Sequence, residues 1–275
     1  MQQLALLDGQ WLDPMQPALT LQNRGWQYGD GIFETMLLQQ GRVRFWNDHL
    51  ERLQSSCARL GMVTPEVSLL QHELHSLCAK RQDAVIKLTL LRSGSERGYR
   101  PPQSASTTRL WQLFDAPSNV PPSITVRWCD MRFSRNAQLA GLKHCNRLEQ
   151  VMAQAEWRDA SIAEGLMLDT EGELIGGTMS NVFLGLDGAL ITPDLRYSGV
   201  NGVMRRNVLR LAAQLHIDVE ARAVRHEEVH QAQEMFVCNA VRGIQAVTRL
   251  EQLAWPVGTL TQRLQCALLE AHPET

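Results

Sequence analysis

The 275-residue sequence predicts an α+β fold of two domains. Three observations carry that reading. Alternating apolar runs and stretches of helical spacing succeed one another through the first 115 residues. A proline-rich connection, Asp115-Ala116-Pro117-Ser118-Asn119-Val120-Pro121-Pro122, then interrupts the pattern. Beyond it lies a longer region dense in short strands. The expected division is a small N-terminal α+β domain at 1–115, a linker at 116–122 and a larger C-terminal domain at 123–275, each of normal domain size.

Each element follows from local signals. Asp8-Gly9 is a hairpin dipeptide and joins two short strands. Gly31 to Leu38 and Arg42 to Trp46 form a second hairpin around Gln40-Gly41. Asn47 is placed to cap a helix whose apolar positions Leu50, Leu53, Cys57 and Leu60 fall at helical spacing. A second helix covers Glu66 to Lys80. Ala84 to Leu91 and Thr107 to Phe114 read as strands. After the linker comes a strand from Ser123 to Cys129, then a polar loop with Arg132, Arg135 and Lys143. Asn146 caps a helix running to about Arg158. Gly165 to Leu168 and Glu173 to Phe183 pair around the Asp169-Thr170-Glu171-Gly172 turn. Ala189 to Thr192 is a strand, Val203 to Leu215 a helix, and strands lie near His216 to Val224 and Glu234 to Cys238.

Composition narrows the function classes. A net charge of −2, from 27 basic and 29 acidic residues, provides no broad field for nucleic acid or an anionic membrane. No apolar run approaches the roughly 18 residues of a membrane span. The start, Met1 to Asp8, lacks the basic region and apolar length of a signal peptide. Six cysteines are scattered without a CxxC pair, which reads as reduced thiols in a cytoplasmic protein and not as a disulfide framework. Of the basic residues 24 are arginine, and only Lys80, Lys87 and Lys143 carry an amine side chain.

Several constellations bear on chemistry. His226-Glu227-Glu228-Val229-His230 has the H-E-x-x-H form of zinc hydrolases. No apolar helix frames it, and it reads better as a short solvated helix, so no metal is expected. Gly199-Val200-Asn201-Gly202-Val203-Met204-Arg205 leads into a helix whose first N–H groups and positive end suit a phosphate, although an ordinary glycine loop would look the same. Asn239-Ala240-Val241-Arg242-Gly243 offers a weaker second set of backbone donors. Lys80 ends a polar helix and Lys87 lies within a strand in a structural role. Lys143, between apolar residues and a capped helix, is therefore the candidate for an amine nucleophile. The Arg92 to Arg100 loop, with Arg97, suits a carboxylate-bearing small molecule or is simply solvated. Tyr28-Gly29-Asp30-Gly31 lacks dinucleotide-loop spacing and reads as a tight turn.

Taken together, these segments resemble the class-IV aminotransferase family, the fold-type-IV pyridoxal-phosphate enzymes. The carriers are Asn23 to Thr35 (NRGWQYGDGIFET), His49-Leu50-Glu51-Arg52-Leu53, the Lys143 segment, Ser180-Asn181-Val182-Phe183, Gly202-Val203-Met204-Arg205 and Glu234 to Asn239. The resemblance implies a sandwich-like small domain, a strand-rich pseudo-barrel, and pyridoxal 5'-phosphate in the cleft between them. It also implies that Lys143 holds the cofactor as a Schiff base and acts as acid and base. Arg52 would bind the phosphate with the backbone at Val203, Met204, Asn239 and Ala240, and Tyr28, Arg97 and Tyr99 would face the substrate. A homodimer is implied as well. Arg97-Gly98-Tyr99 and Gly141 to Gln150 point to a lyase of the family that releases 4-aminobenzoate and pyruvate on the way to folate. Amino transfer on branched-chain or D-amino acids is the alternative within the fold, and a zinc hydrolase or a binding protein lies outside it. One departure stands out: the family's usual Glu, five residues before Asn181, is Gly176 here.

Overall fold

The computed structural model describes residues 4–13, 15, 19–94, 97–103 and 105–270. They group into two compact units. One holds the chain up to Ser118 together with Lys143–Asn146, and the other holds Asn119–Leu142 and the chain from Arg147 onward. The expected C-terminal range 123–275 therefore needs one correction: Lys143–Asn146 packs with the first unit.

The first unit is a six-stranded antiparallel sheet with helices packed on one face. Its elements are β1 (Leu4–Leu7), β2 (Gln10–Leu12), α1 (Arg24–Tyr28), β3 (Gly31–Gln39), β4 (Arg42–Val43), α2 (Trp46–Leu60), α3 (Val67–Cys78), β5 (Ala84–Arg92) and β6 (Thr107–Phe114). The strand order is β2-β1-β6-β5-β3-β4. Strand alternation sends Ile32, Met36, Leu38, Ile86, Leu88, Leu90, Trp111 and Leu113 to one face, where they meet Leu53 and Cys57 of α2 and Leu70 and Leu77 of α3. Glu34 shares that buried face as its polar exception on β3.

Two local readings change. Asn47 does not cap α2. The turn after β4 forces Phe45 into the left-handed region at φ 56°, and the helix has begun by Trp46 without a side-chain cap. The Tyr28 segment is more than a turn: Asn23 accepts from the Trp26 N–H at 3.2 Å, and Gly29 at φ +63° ends the five-residue α1. Five residues are too few to show a period.

The second unit is a nine-stranded sheet that curls on itself. Its elements are β7 (Ser123–Trp128), α4 (Leu148–Gln154), β8 (Ile162–Leu168), β9 (Leu174–Gly177), β10 (Asn181–Leu186), β11 (Ala189–Pro193), α5 (Val203–Gln214), β12 (Val219–Arg222), β13 (Glu234–Asn239), β14 (Gly243–Leu250), β15 (Leu253–Ala254) and α6 (Thr259–Glu270). The order runs β12-β11-β10-β13-β14-β7-β8-β9, with β15 on β14. The ends approach one another, because the Leu174 N–H of β9 donates to the Val224 carbonyl just beyond β12 at 2.7 Å. Val126, Leu166, Leu174, Val182, Leu184, Val224, Val237 and Val247 fill the interior. No helix among the described residues is long and apolar enough to cross a membrane.

Here too the sequence reading needs correction. Glu173 to Phe183 is two strands, β9 and β10, split by a turn at Thr178–Ser180. α4 starts after Arg147, not at an Asn146 cap, and ends at Gln154. β14, β15 and α6 carried no expectation. Asn239 and Ala240 lie at the turn of the β13–β14 hairpin.

Candidate active site

In the first unit the site grows from β3. The edge of its first residues is free because β4 pairs only with Leu38 and Gln39. Residues 143–145 take that edge: the Phe33 N–H donates to the Lys143 carbonyl at 3.0 Å, and the Cys145 N–H donates to the Gly31 carbonyl at 2.9 Å. Backbone bonds thus fix the position of Lys143. Its Nζ lies 4.3 Å from the centroid of the Phe33 ring, and the Nζ of Lys87 lies 5.1 Å from the same centroid. Lys87, a structural residue on the sequence reading, reaches that ring because its cross-strand partner Thr35 stands two residues from Phe33.

On the helix-facing side of β3, Glu34 receives Arg52 and His49 of α2. Arg52 and His49, three residues apart, project from one face of that helix. Arg52 Nε donates to Glu34 Oε1 at 2.8 Å and its Nη2 donates to Oε2, a two-point clamp. His49 Nδ1 lies 2.6 Å from Oε2. Burial alone would raise the Glu34 carboxyl, but the charge and hydrogen bonds of Arg52, with those of His49, hold it at about 2. Burial lowers the His49 pKa; Glu34 opposes this, and the charges of Arg52 and Lys143 reinforce it. An ionised carboxylate only accepts, so His49 carries its proton on Nδ1. Its buried Nε2 has no hydrogen-bond partner among the described residues.

Tyr28, Arg97 and Tyr99 form a separate group in this unit. The Tyr28 hydroxyl accepts from the Gly98 N–H at 3.2 Å, and the Tyr28 and Tyr99 rings meet edge-on at 5.4 Å. Arg97 and Tyr99 are exposed, Tyr99 at 86%. Ser95 and Glu96 of the same loop lie outside the described residues.

In the second unit, Gly141 at φ +81° is stitched to the loop before α5. Its N–H donates to the Gly199 carbonyl and its carbonyl accepts from the Asn201 N–H, each at 3.0 Å. Asn181 Nδ2 donates to the Val200 carbonyl at 2.9 Å. A Cβ on Gly202 would collide with the side-chain amide of Asn181, which would have to shift to admit it. Val203 and Met204 then open α5 with no side-chain cap on its first N–H groups. At the end of β13, Asn239 Oδ1 accepts from the N–H groups of Val241 and Arg242 and shapes the turn at Ala240. Burial pushes the thiol of the preceding Cys238 up to about 12, so it adds no negative charge there.

Gly176 lies in β9 beside a register shift. Leu168 pairs with Leu174 and Met167 with Gly176, leaving Ile175 as an extra residue. Simple strand alternation therefore does not separate Glu173 from Gly176. Glu173 is engaged elsewhere, with Oε2 3.4 Å from Arg135. The buried carboxylate here is Glu164, which the sequence reading did not single out. It accepts from the N–H groups of Gly165, Thr178 and Met179 and from the Thr178 and Ser180 hydroxyls. It builds the turn that splits β9 from β10.

His226 and His230 fall in a short 3-10 helix, His226–Gln231, with ring centroids 5.8 Å apart. No group of three metal-ligating side chains exists among the described residues.

Comparison with known proteins places these residues in context. The amino-transferase class IV family matches residues 31–250. The aminodeoxychorismate lyase of Vibrio harveyi is 30% identical over 264 residues, covering 93% of this chain and 97% of that protein. The D-alanine aminotransferase of Bacillus licheniformis is 26% identical over 278 residues, with 96% and 95% covered. A crystal structure of 4-amino-4-deoxychorismate lyase from Pseudomonas aeruginosa superposes with a TM-score of 0.90 at 40% identity, covering 98% of this chain and 100% of that one.

Proposed function

The chain belongs to the amino-transferase class IV family, and from that premise we propose that it is an aminodeoxychorismate lyase. It converts 4-amino-4-deoxychorismate to 4-aminobenzoate and pyruvate in folate biosynthesis, with pyridoxal 5'-phosphate as cofactor. The observation that carries the reading is the Lys143 segment, seated by backbone bonds on the free edge of β3 with its amine over Phe33. Coverage is alike for lyases and aminotransferases, and the higher identity to lyases, 30% and 40% against 26%, supports this reading over amino transfer.

The residues present fit an anionic cofactor. In the first unit, Arg52 carries a guanidinium, held toward Glu34 through Nε and Nη2. In the second, the first N–H groups of α5 at Val203 and Met204 are uncapped, and a helix N-terminus favours a phosphate. Arg52, Val203, Met204 and the backbone at Asn239 and Ala240 would hold the phosphate, and Lys143 would bond the cofactor covalently. When bound, the cofactor supplies an electron sink for charge developing at the carbon that bears the substrate amine. The Lys143 amine would take the proton from ring C4. The bond to the enolpyruvyl oxygen then breaks, the ring becomes aromatic, and Lys143 returns a proton to the departing three-carbon unit, which leaves as pyruvate. Lys87, a second cation at the Phe33 ring, and Arg97, with Tyr28 and Tyr99, are suited to the substrate and its two carboxylates. With Gly176 in place of the family's carboxylate the bound cofactor would be a weaker sink, which a reaction driven by aromatisation would tolerate. The protein acts in the cytoplasm as a homodimer.

The test is product analysis on purified, yellow protein. 4-Aminobenzoate and pyruvate should form in equal amounts, and Lys143→Ala should abolish both along with the visible band. Conversion of an amino acid and a keto acid without 4-aminobenzoate would assign the chain to the aminotransferases.

A further inference from the structure

Arg24 is 2% exposed, yet it lies in a five-residue helix that adds little to the core. A buried guanidinium is tolerated only when its donors are met, and those of Arg24 point at one loop. Nη1 donates to the Gly98 carbonyl at 2.9 Å and more weakly to that of Arg100 at 3.4 Å; Nη2 donates to the Tyr99 carbonyl at 3.0 Å. Nε donates to Asp30 at 2.8 Å, which balances its charge. Asp30 also accepts from Arg92 Nε, and the Arg92 fork caps the Leu60 and Gly61 carbonyls at the end of α2. The Tyr28 ring lies 5.1 Å from the Arg24 guanidinium carbon, and its hydroxyl takes the Gly98 N–H. The backbone at 98–100 belongs to no helix or strand, and these contacts define its path while Arg97 and Tyr99 remain exposed.

We propose that Arg24 is a positioning residue for substrate recognition: it fixes the backbone at Gly98–Arg100, and through it the direction in which Arg97 and Tyr99 are presented. This rests on the reading that those two side chains meet the substrate. Only a planar fork reaches three consecutive carbonyls and a carboxylate together, so lysine would keep the charge and lose the geometry.

The experiment compares Arg24→Lys, Tyr28→Phe and Arg97→Met with the wild-type holoenzyme. Backbone hydrogen exchange in the peptide spanning 97–103 should quicken about tenfold in Arg24→Lys, and less in Tyr28→Phe. KM for aminodeoxychorismate should rise by about tenfold, the scale of one charge-assisted hydrogen bond, with kcat within about twofold and the visible band unchanged. If Arg24→Lys does not yield folded protein, Arg24→Gln, whose planar amide still donates but lacks the fork, carries the same test. Unchanged exchange overturns the proposal, as does faster exchange with unchanged KM. A fall in kcat with loss of the band would also overturn it, since that marks general damage. An unchanged KM in Arg97→Met would instead remove the loop from the substrate, with the exchange result still reporting on Arg24.

Discussion

Arg52 has two tasks that a single substitution confounds. It is proposed to bind the phosphate, and it neutralises Glu34 inside the core. Arg52→Ala should weaken cofactor binding by about 1.5–3 kcal/mol. It should also leave the buried Glu34 carboxylate without its charged partner and with only His49 beside it, at a cost on the order of 3–5 kcal/mol of stability. Adding Glu34→Gln should restore most of the stability and none of the affinity; cofactor titration and thermal melts of the two variants separate the terms. Glu34 also sets an acid limit. Its folded pKa of about 2 lies below the ordinary 4.5, so its contribution is full above about pH 4.5 and is lost as pH falls toward 2. Glu34→Gln should flatten stability against pH in that window. Lys143 could be proposed from residue type, scarcity and family pattern, and Arg52 from the family pattern alone. Glu34 and His49 could not, because pairing across a sheet–helix interface depends on which face of β3 is buried.

Among the elements, the turn between β9 and β10 carries the most information. Glu164 organises it with five donors, and Gly176 and Gly177 make room. A Cβ on Gly176 would stand 2.8 Å from the Ser180 carbonyl oxygen, and one on Gly177 would meet Glu164 and Ser180 Oγ. Gly176→Glu must therefore displace backbone and should lower the melting temperature. In whatever fraction folds, slow transamination of simple amino acids should rise relative to lyase turnover. An unchanged ratio, in a variant shown to place the new carboxylate at the pyridine nitrogen, would contradict the weak-sink argument. Strand and helix positions were legible where the period was long, as in β5, β6 and α5. The 173–183 stretch looked like one strand because the cause of its break, Glu164, sits on β8. β14 and α6 carried no expectation; Asn239 shapes the hairpin turn that joins β13 to β14.

At the scale of the whole molecule, the proline-rich connection near Ser118 marked one change of unit. The return of Lys143–Asn146 to the first unit was invisible, since it depends on a free strand edge some hundred residues away. The two histidines of the H-E-x-x-H match share a short 3-10 helix, and no group of three metal-ligating side chains lies among the described residues. Metal analysis should find no stoichiometric zinc, and His226→Ala should keep lyase activity.

The central claim is that Lys143, alone among the three lysines, bonds the cofactor. Borohydride reduction of the purified holoenzyme followed by peptide mapping tests it most directly. The account predicts a single pyridoxyl label on the peptide containing Lys143, absent from Lys143→Ala and retained in Lys80→Arg and Lys87→Arg. A label on Lys80 or Lys87, or none on a yellow protein, would contradict it.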